Sequence, residues 1–311
     1  MKLAQMLCSG SVGAQLKLRF GVACAVSLLA TACGLAGATA NSSGKVEVVA
    51  AENFWGSIAS QIGGDKVHLT SIIDNPDADP HDYEPTPNDA RLIARAGYVI
   101  ANGAGYDPWA PKLAAANPVA SRKMLVIAEL AGLQEGGNPH MWYAPDIVAR
   151  VVDRITDDLK KLDSSNAGYF DQSSADFKAT GLKDYHNTIA AIRQKYTSTP
   201  VGASESIFAY MAPALGLNLI TPPAYLKAIS EGTDPSAADK VTVDQQVTGK
   251  KIKVFVFNSQ NSTPDVASVV NKAKAAGIPV VETTETLIPA SASFQVWQTN
   301  QLKALLAALG G

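Results

Sequence analysis

The chain has 311 residues, 47% of them apolar and 17% charged, and carries a formal net charge of −2. That length accommodates two ordinary domains or one large one, and the composition supports sizeable cores and excludes extended disorder. No basic stripe interleaved with aromatics occurs, which excludes nucleic acid as a partner.

Residues 1–32 read as a signal peptide. Lys2, Lys17 and Arg19 make a positive start without a single acid, and residues 20–32, FGVACAVSLLATA, then form an apolar run of 13. Such a run is short for a bilayer span but matches a signal core. It ends in LLATAC, which is similar to the lipobox of bacterial lipoproteins, with Ala30 where leucine is commoner. The similarity implies cleavage before Cys33 and lipid on that cysteine; a secretory cut in the ATA of residues 38–40 is the alternative. Cys8 and Cys24 leave with the signal, so the exported chain keeps Cys33 alone and has no internal disulfide. A lipid anchor gives that leftover cysteine a use. Residues 33–44 then serve as lipidated N-terminus and flexible tether. Loss of residues 1–32 moves the formal charge from −2 to −5.

From residue 45 strands and helices alternate. A strand over 45–51 leads to a helix over 52–63 and a strand over 66–73, which empties into DNPDADPHDYEPTPNDA, residues 74–90. A helix starting at an Asn88 cap, a strand over 98–103, a helix over 107–116 and a mostly extended 123–130 follow. Residues 145–162 are strongly periodic, with Ile147, Val148, Val151, Ile155, Leu159 and Leu162 at helical spacing. Residues 167–196 keep helical spacing without a strand, weakened at Gly181. The alternation resumes with a strand at 199–204, a helix at 206–216, a strand at 217–220 and a helix at 235–247. A strand at 251–258, a helix at 264–277, a strand at 278–281 and a last helix at 293–309 complete it. This order predicts an α/β fold with mostly parallel sheets flanked by helices, in two lobes separated by a long helical stretch.

Ligands of open α/β sheets bind beyond the carboxyl ends of the strands. The four histidines are His68, His81, His140 and His186. His81 follows the strand at 66–73, His140 the strand within 124–129, Glu205 the strand at 199–203, and Glu285 the strand at 278–281. Each half thus supplies two metal-competent side chains from strand-end loops. Each residue alone has a plainer explanation. His81 can stabilise a turn, His140 can stack beside Trp142 and Tyr143, Glu205 can favour a helix N-terminus, and Glu282 and Glu285 can be solvated acids. His68 sits inside a strand and His186 on a helix face, and neither is taken as a ligand; Asp79, Asp82 and Glu84 read as loop-ordering groups. G-x-S-x-G, P-loop, G-x-G-x-x-G and H-E-x-x-H motifs are all missing.

The blocks DADPHDYEPTPND, NPHMWYAP, ASESIFAYMAPALGL, EGTDPSAAD and GIPVVETTETL, in that order, resemble the metal-binding lipoproteins that feed bacterial manganese and zinc ABC transporters. The resemblance runs over residues 46–309. It implies two α/β lobes, residues 45–165 and 197–311, joined by one long helix at 166–196, with the metal in the cleft between them. The ligands it implies are His81, His140, Glu205 and, at a position normally aspartate, Glu285, with Glu282 as the neighbouring alternative. Two neutral imidazoles and two carboxylates offset a divalent charge, as desolvation of the ion demands. Carboxylate oxygen favours manganese while imidazole suits zinc equally, a slight lean toward manganese.

The expected function is therefore capture of Mn2+ or Zn2+ as transported ligand, without catalysis. The protein would be a monomer, lipid-anchored at the outer face of the cytoplasmic membrane, that docks on its ABC permease. An exported zinc hydrolase using His81, His140 and Glu205 with an open water position, and a surface adhesin with an incidental metal, are the alternatives.

Overall fold

The structure, a computed structural model, describes residues 44–76 and 83–310. The leader, Cys33 with most of its tether, and His81 with Asp79 and Asp82 lie outside the described residues.

Parallel strands need a crossover between them, and the helices supply one each time. The first sheet is built from β1 (Val46–Glu52), α1 (Asn53–Gly63), β2 (Val67–Ile73), α2 (Pro87–Arg95), β3 (Tyr98–Ala101), α3 (Trp109–Ala116), β4 (Lys123–Val126) and α4 (Ile127–Ala131). Its order is β2-β1-β3-β4, parallel throughout, with Val49 in register with both Thr70 and Val99. After α5 (Pro145–Leu162), α6 (Ala167–Asp176) and α7 (Lys183–Tyr196) are joined by a π-turn over Phe177–Gly181.

The second sheet is built from β5 (Pro200–Ala203), α8 (Met211–Ala214), β6 (Asn218–Leu219), α9 (Pro223–Ser230), α10 (Ala237–Thr248), β7 (Phe255–Asn258), α11 (Pro264–Ala275) and β8 (Val280–Thr283). It repeats the pattern as β6-β5-β7-β8, again parallel, and α12 (Phe294–Leu309) ends the chain. In each sheet the first strand has its successors on opposite sides, so a crevice opens at its carboxyl end.

One apolar core serves both sheets. Val48, Tyr98 and Leu125 of the first join Val201, Val256 and Val281 of the second in a single cluster with Phe54, Trp142 and Trp297. Helix α5 buries Ile147, Val148, Val151, Ile155 and Leu159 as its spacing predicts, and α12 packs on α7 and α1. Smaller clusters cover the outer faces, around Val49 and Val99 in one sheet and Phe255 and Val270 in the other.

Several elements differ from the sequence expectation. The extended 123–130 ends at Val126, where Ile-Ala-Glu-Leu-Ala turns into α4 and Gly132, at φ 76°, stops it. The expected helix at 206–216 is a 3-10 turn, Ser206–Phe208, and the single turn α8. Pro213 removes a helical donor there, and Gly216, at φ 70°, ends the segment. Helix α9 was hidden by Pro222 and Pro223, yet Pro223 occupies the first helical turn, where no donor is lost. The cap of helix α2 lies two residues before Asn88: Thr86 accepts from Asp89 N while the Asp89 carboxylate accepts from Thr86 N at 2.6 Å, a closed capping box.

Candidate metal centre

The 137–144 segment is shaped before any side chain reaches a ligand. Asn102, just past β3, accepts from Trp55 Nε1 at 3.0 Å and donates to the Pro139 carbonyl at 2.9 Å. Asn138 donates its amide N–H to the Ser206 carbonyl at 2.8 Å, which leaves Oδ1 to accept from His140 N at 3.1 Å and from Nδ1 at 2.7 Å. His140 Nδ1 therefore carries a proton, and Nε2 faces the second sheet. The ring is fully buried, edge-on to Trp142 at 5.2 Å between centroids. Stacking and a ligand role are compatible here.

Glu205 lies just beyond β5 in extended conformation, fully buried, and makes no capping bond to the turn that follows. The helix-terminus explanation for this acid fails. Its Oε1 accepts from Asn258 Nδ2 at 3.0 Å, and its Oε2 from Asn261 Nδ2 at 3.0 Å and Ser230 Oγ at 3.2 Å. Glu285, two residues past β8, is 2% exposed. Its backbone N–H donates to Gln260 Oε1 at 2.6 Å, its Oε1 accepts from Asn258 Nδ2 at 2.9 Å, and its Oε2 accepts from the Tyr106 hydroxyl at 2.6 Å. Tyr106 belongs to the first lobe, so that bond spans the cleft.

The three residues converge. His140, Glu205 and Glu285 offer ligand atoms all within 4.8 Å of one another, with His140 Nε2 at 3.9 Å from Glu205 Oε1 and 3.6 Å from Glu285 Oε1. Glu282, by contrast, is exposed on β8 and outside the cluster, as are His186 and His68, the latter paired with Glu47 at 2.8 Å. Glu84 is exposed as well. The described residues that flank 77–82 are both tied. Gln260 donates to the Pro76 carbonyl, and Tyr83 donates to Asp89 at 2.9 Å while packing on Trp109.

Burial, and then the Glu285 charge, push the Glu205 carboxyl above its usual range, against the opposing pull of His140 and the two asparagines. A second acid pair lies at the end of β1 and in the loop between β3 and α3. Burial and the neighbouring Asp107 carboxyl hold Glu52 well above the usual range, and Asp107 itself caps the 102–103 backbone at 2.6 and 2.7 Å. A crevice of about 260 Å³ is lined by Tyr106, Glu135, Pro139, Ser230 and Glu231 among others, and so includes both residues whose hydroxyls bond the glutamates.

Sequence reasoning missed Tyr106, Asn138, Ser230, Asn258 and Gln260. The strand-end rule would have found Asn258 had it been applied to amides as well as to metal-competent side chains.

A two-lobed α/β binding fold of this kind is shared with solved structures. A manganese-bound periplasmic metal binding protein from candidatus liberibacter asiaticus superimposes with a TM-score of 0.70 at 21% identity, over 85% of this chain and 99% of that one. A crystal structure of ZnuA gives 0.65 at 22% identity, over 85% and 98%. Residues 48–308 match the family model for ZnuA, the periplasmic component A of the zinc-uptake complex, and the chain belongs to that family. Among relatives, the manganese ABC transporter substrate-binding lipoprotein PsaA of Streptococcus anginosus is 27% identical over 77% of this chain and 80% of its own length. The high-affinity zinc uptake system protein ZnuA of Bacillus subtilis (strain 168) is 25% identical over 86% and 88%.

Proposed function

We propose that the protein captures one manganese or zinc ion between its lobes, residues 45–165 and 197–311, and hands it to the permease of an ABC transporter. Residues 166–196 connect the lobes. The chain acts as a monomer at the outer face of the cytoplasmic membrane, held by lipid on Cys33, and catalyses nothing. One observation carries this reading: His140, Glu205 and Glu285 come from loops of both sheets into one buried cluster. His81 supplies the fourth ligand, as the family resemblance implies. Two carboxylates and two neutral imidazoles then balance a divalent charge, which a buried ion requires.

Elemental analysis of the purified full chain tests this, followed by chelation and titration with manganese or zinc. One divalent ion per chain is expected, with a rise in melting temperature that follows ligand concentration. His140→Ala and His81→Ala each remove that rise. Stabilisation unchanged in both variants rejects the site.

A further inference from the structure

His140 and Glu285 come from opposite lobes, yet one buried side chain joins their backbones within a turn of each. The 3-10 turn Met141–Tyr143 follows His140 directly, and Tyr143 N donates to the His140 carbonyl at 3.0 Å. The Tyr143 side chain is buried, and its hydroxyl donates to the carbonyl of Thr284, the residue before Glu285, at 2.9 Å. That hydrogen is shared with Gln301 Oε1 at 2.8 Å, which also accepts from Thr284 N at 3.0 Å. Burial raises the Tyr143 pKa, so the hydroxyl keeps its proton and serves as a donor.

The other ties on this loop are of two kinds. Gln260, Trp297 and Gln301 belong to the second lobe. Gln260 Oε1 accepts from Glu285 N and Thr286 N at 2.6 and 3.0 Å, and Trp297 Nε1 donates to Thr284 Oγ1 at 2.8 Å. These bonds fix Glu285 within its own lobe and leave its distance from His140 open. Tyr106 and Asn53 reach across from the first lobe, to Glu285 Oε2 at 2.6 Å and Leu287 N at 3.3 Å. They start from the 103–107 loop and from the beginning of α1, whereas the Tyr143 bond starts in the turn that His140 itself opens.

We propose that Tyr143 is a positioning residue of the centre: its hydroxyl braces the turn after His140 against the loop that carries Glu285, and so helps hold the 3.6 Å gap between His140 Nε2 and Glu285 Oε1 before an ion arrives. This rests on the metal-binding reading above. Ligands held at their working distance need less ordering on binding, which strengthens affinity. Phenylalanine in this place keeps the ring and its edge contact with Trp297, 5.9 Å between centroids, and removes only the brace.

The test measures zinc and manganese affinities of the full chain by competition against a chelator, and melting temperatures without metal, for the native protein, Tyr143→Phe and Tyr98→Phe. Tyr98 is the control. It is also buried, and its hydroxyl donates to Asp158 at 3.2 Å at the start of β3, the end away from the centre. Tyr143→Phe is expected to lower the affinities about tenfold or more, the range by which groups behind the ligands tune metal sites. Tyr98→Phe leaves them at the native value, whatever it does to the melting temperature. In a Glu285→Gln background the Tyr143→Phe loss should shrink or vanish, because a brace acts through the ligand it holds. A merely structural role lowers the melting temperature of Tyr143→Phe and leaves its affinities native. That result, or a loss undiminished beside Glu285→Gln, overturns the proposal. A native protein that binds neither ion sinks the underlying reading instead.

Discussion

Glu205, proposed above as a metal ligand, works against the fold that carries it. Its carboxyl is fully buried beside a second carboxylate, and its pKa lies above the usual range for that reason. A group raised in this way contributes stability that is complete below the unfolded value, about 4.3 for Glu. That contribution is lost as pH rises through the raised value. Glu205→Gln should therefore raise the melting temperature of the metal-free protein at neutral pH while weakening metal binding by orders of magnitude. The gap between variant and native melting temperatures should close as pH falls. Thermal scans of both proteins between pH 7 and about 4.5 check this, and a constant gap contradicts it. Metal affinity runs the other way: protons compete with the ion for Glu205, so binding weakens on acidification. The cluster of His140, Glu205 and Glu285 was legible in the sequence because each is metal-competent and follows a strand. Tyr106, Ser230 and Asn258 were not, because hydroxyls and amides occur throughout any chain and only the fold shows which of them meet.

Among the elements, α5, with its unbroken periodicity, was read correctly, while the segments at Pro213 and at Pro222 and Pro223 were not. Helix α9 looked like a loop because Pro222 and Pro223 precede its apolar positions, whereas in the structure they start it. Residues 167–196 form two helices around a π-turn at Phe177–Gly181, where the Phe177 side chain is buried and a Cβ on Gly181 would come 3.2 Å from the Phe177 ring. Helix α2 depends on its closed capping box. Thr86→Ala should cost about 1 kcal/mol, read as a shift in the urea midpoint. A shift indistinguishable from zero would show that Tyr83 and Pro87 hold the helix start without it.

At the scale of the molecule, parallel sheets in two lobes followed from the alternation of strands and helices, but the shared core did not. Nothing in the order of elements says that Val48 and Val256 belong to one cluster. Because they do, the lobes should unfold together. Calorimetry is expected to give one transition with equal calorimetric and van't Hoff enthalpies; two separable transitions contradict it.

The joint core also bears on turnover. A chain that unfolds as one unit offers proteases little until it opens globally, and the population of open chains follows overall stability. Under the proposed function, the paired carboxylates weaken the whole structure without an ion and hold it together with one. On that same reading, empty chains are then the ones cleared first, so the amount of protein tracks the supply of metal.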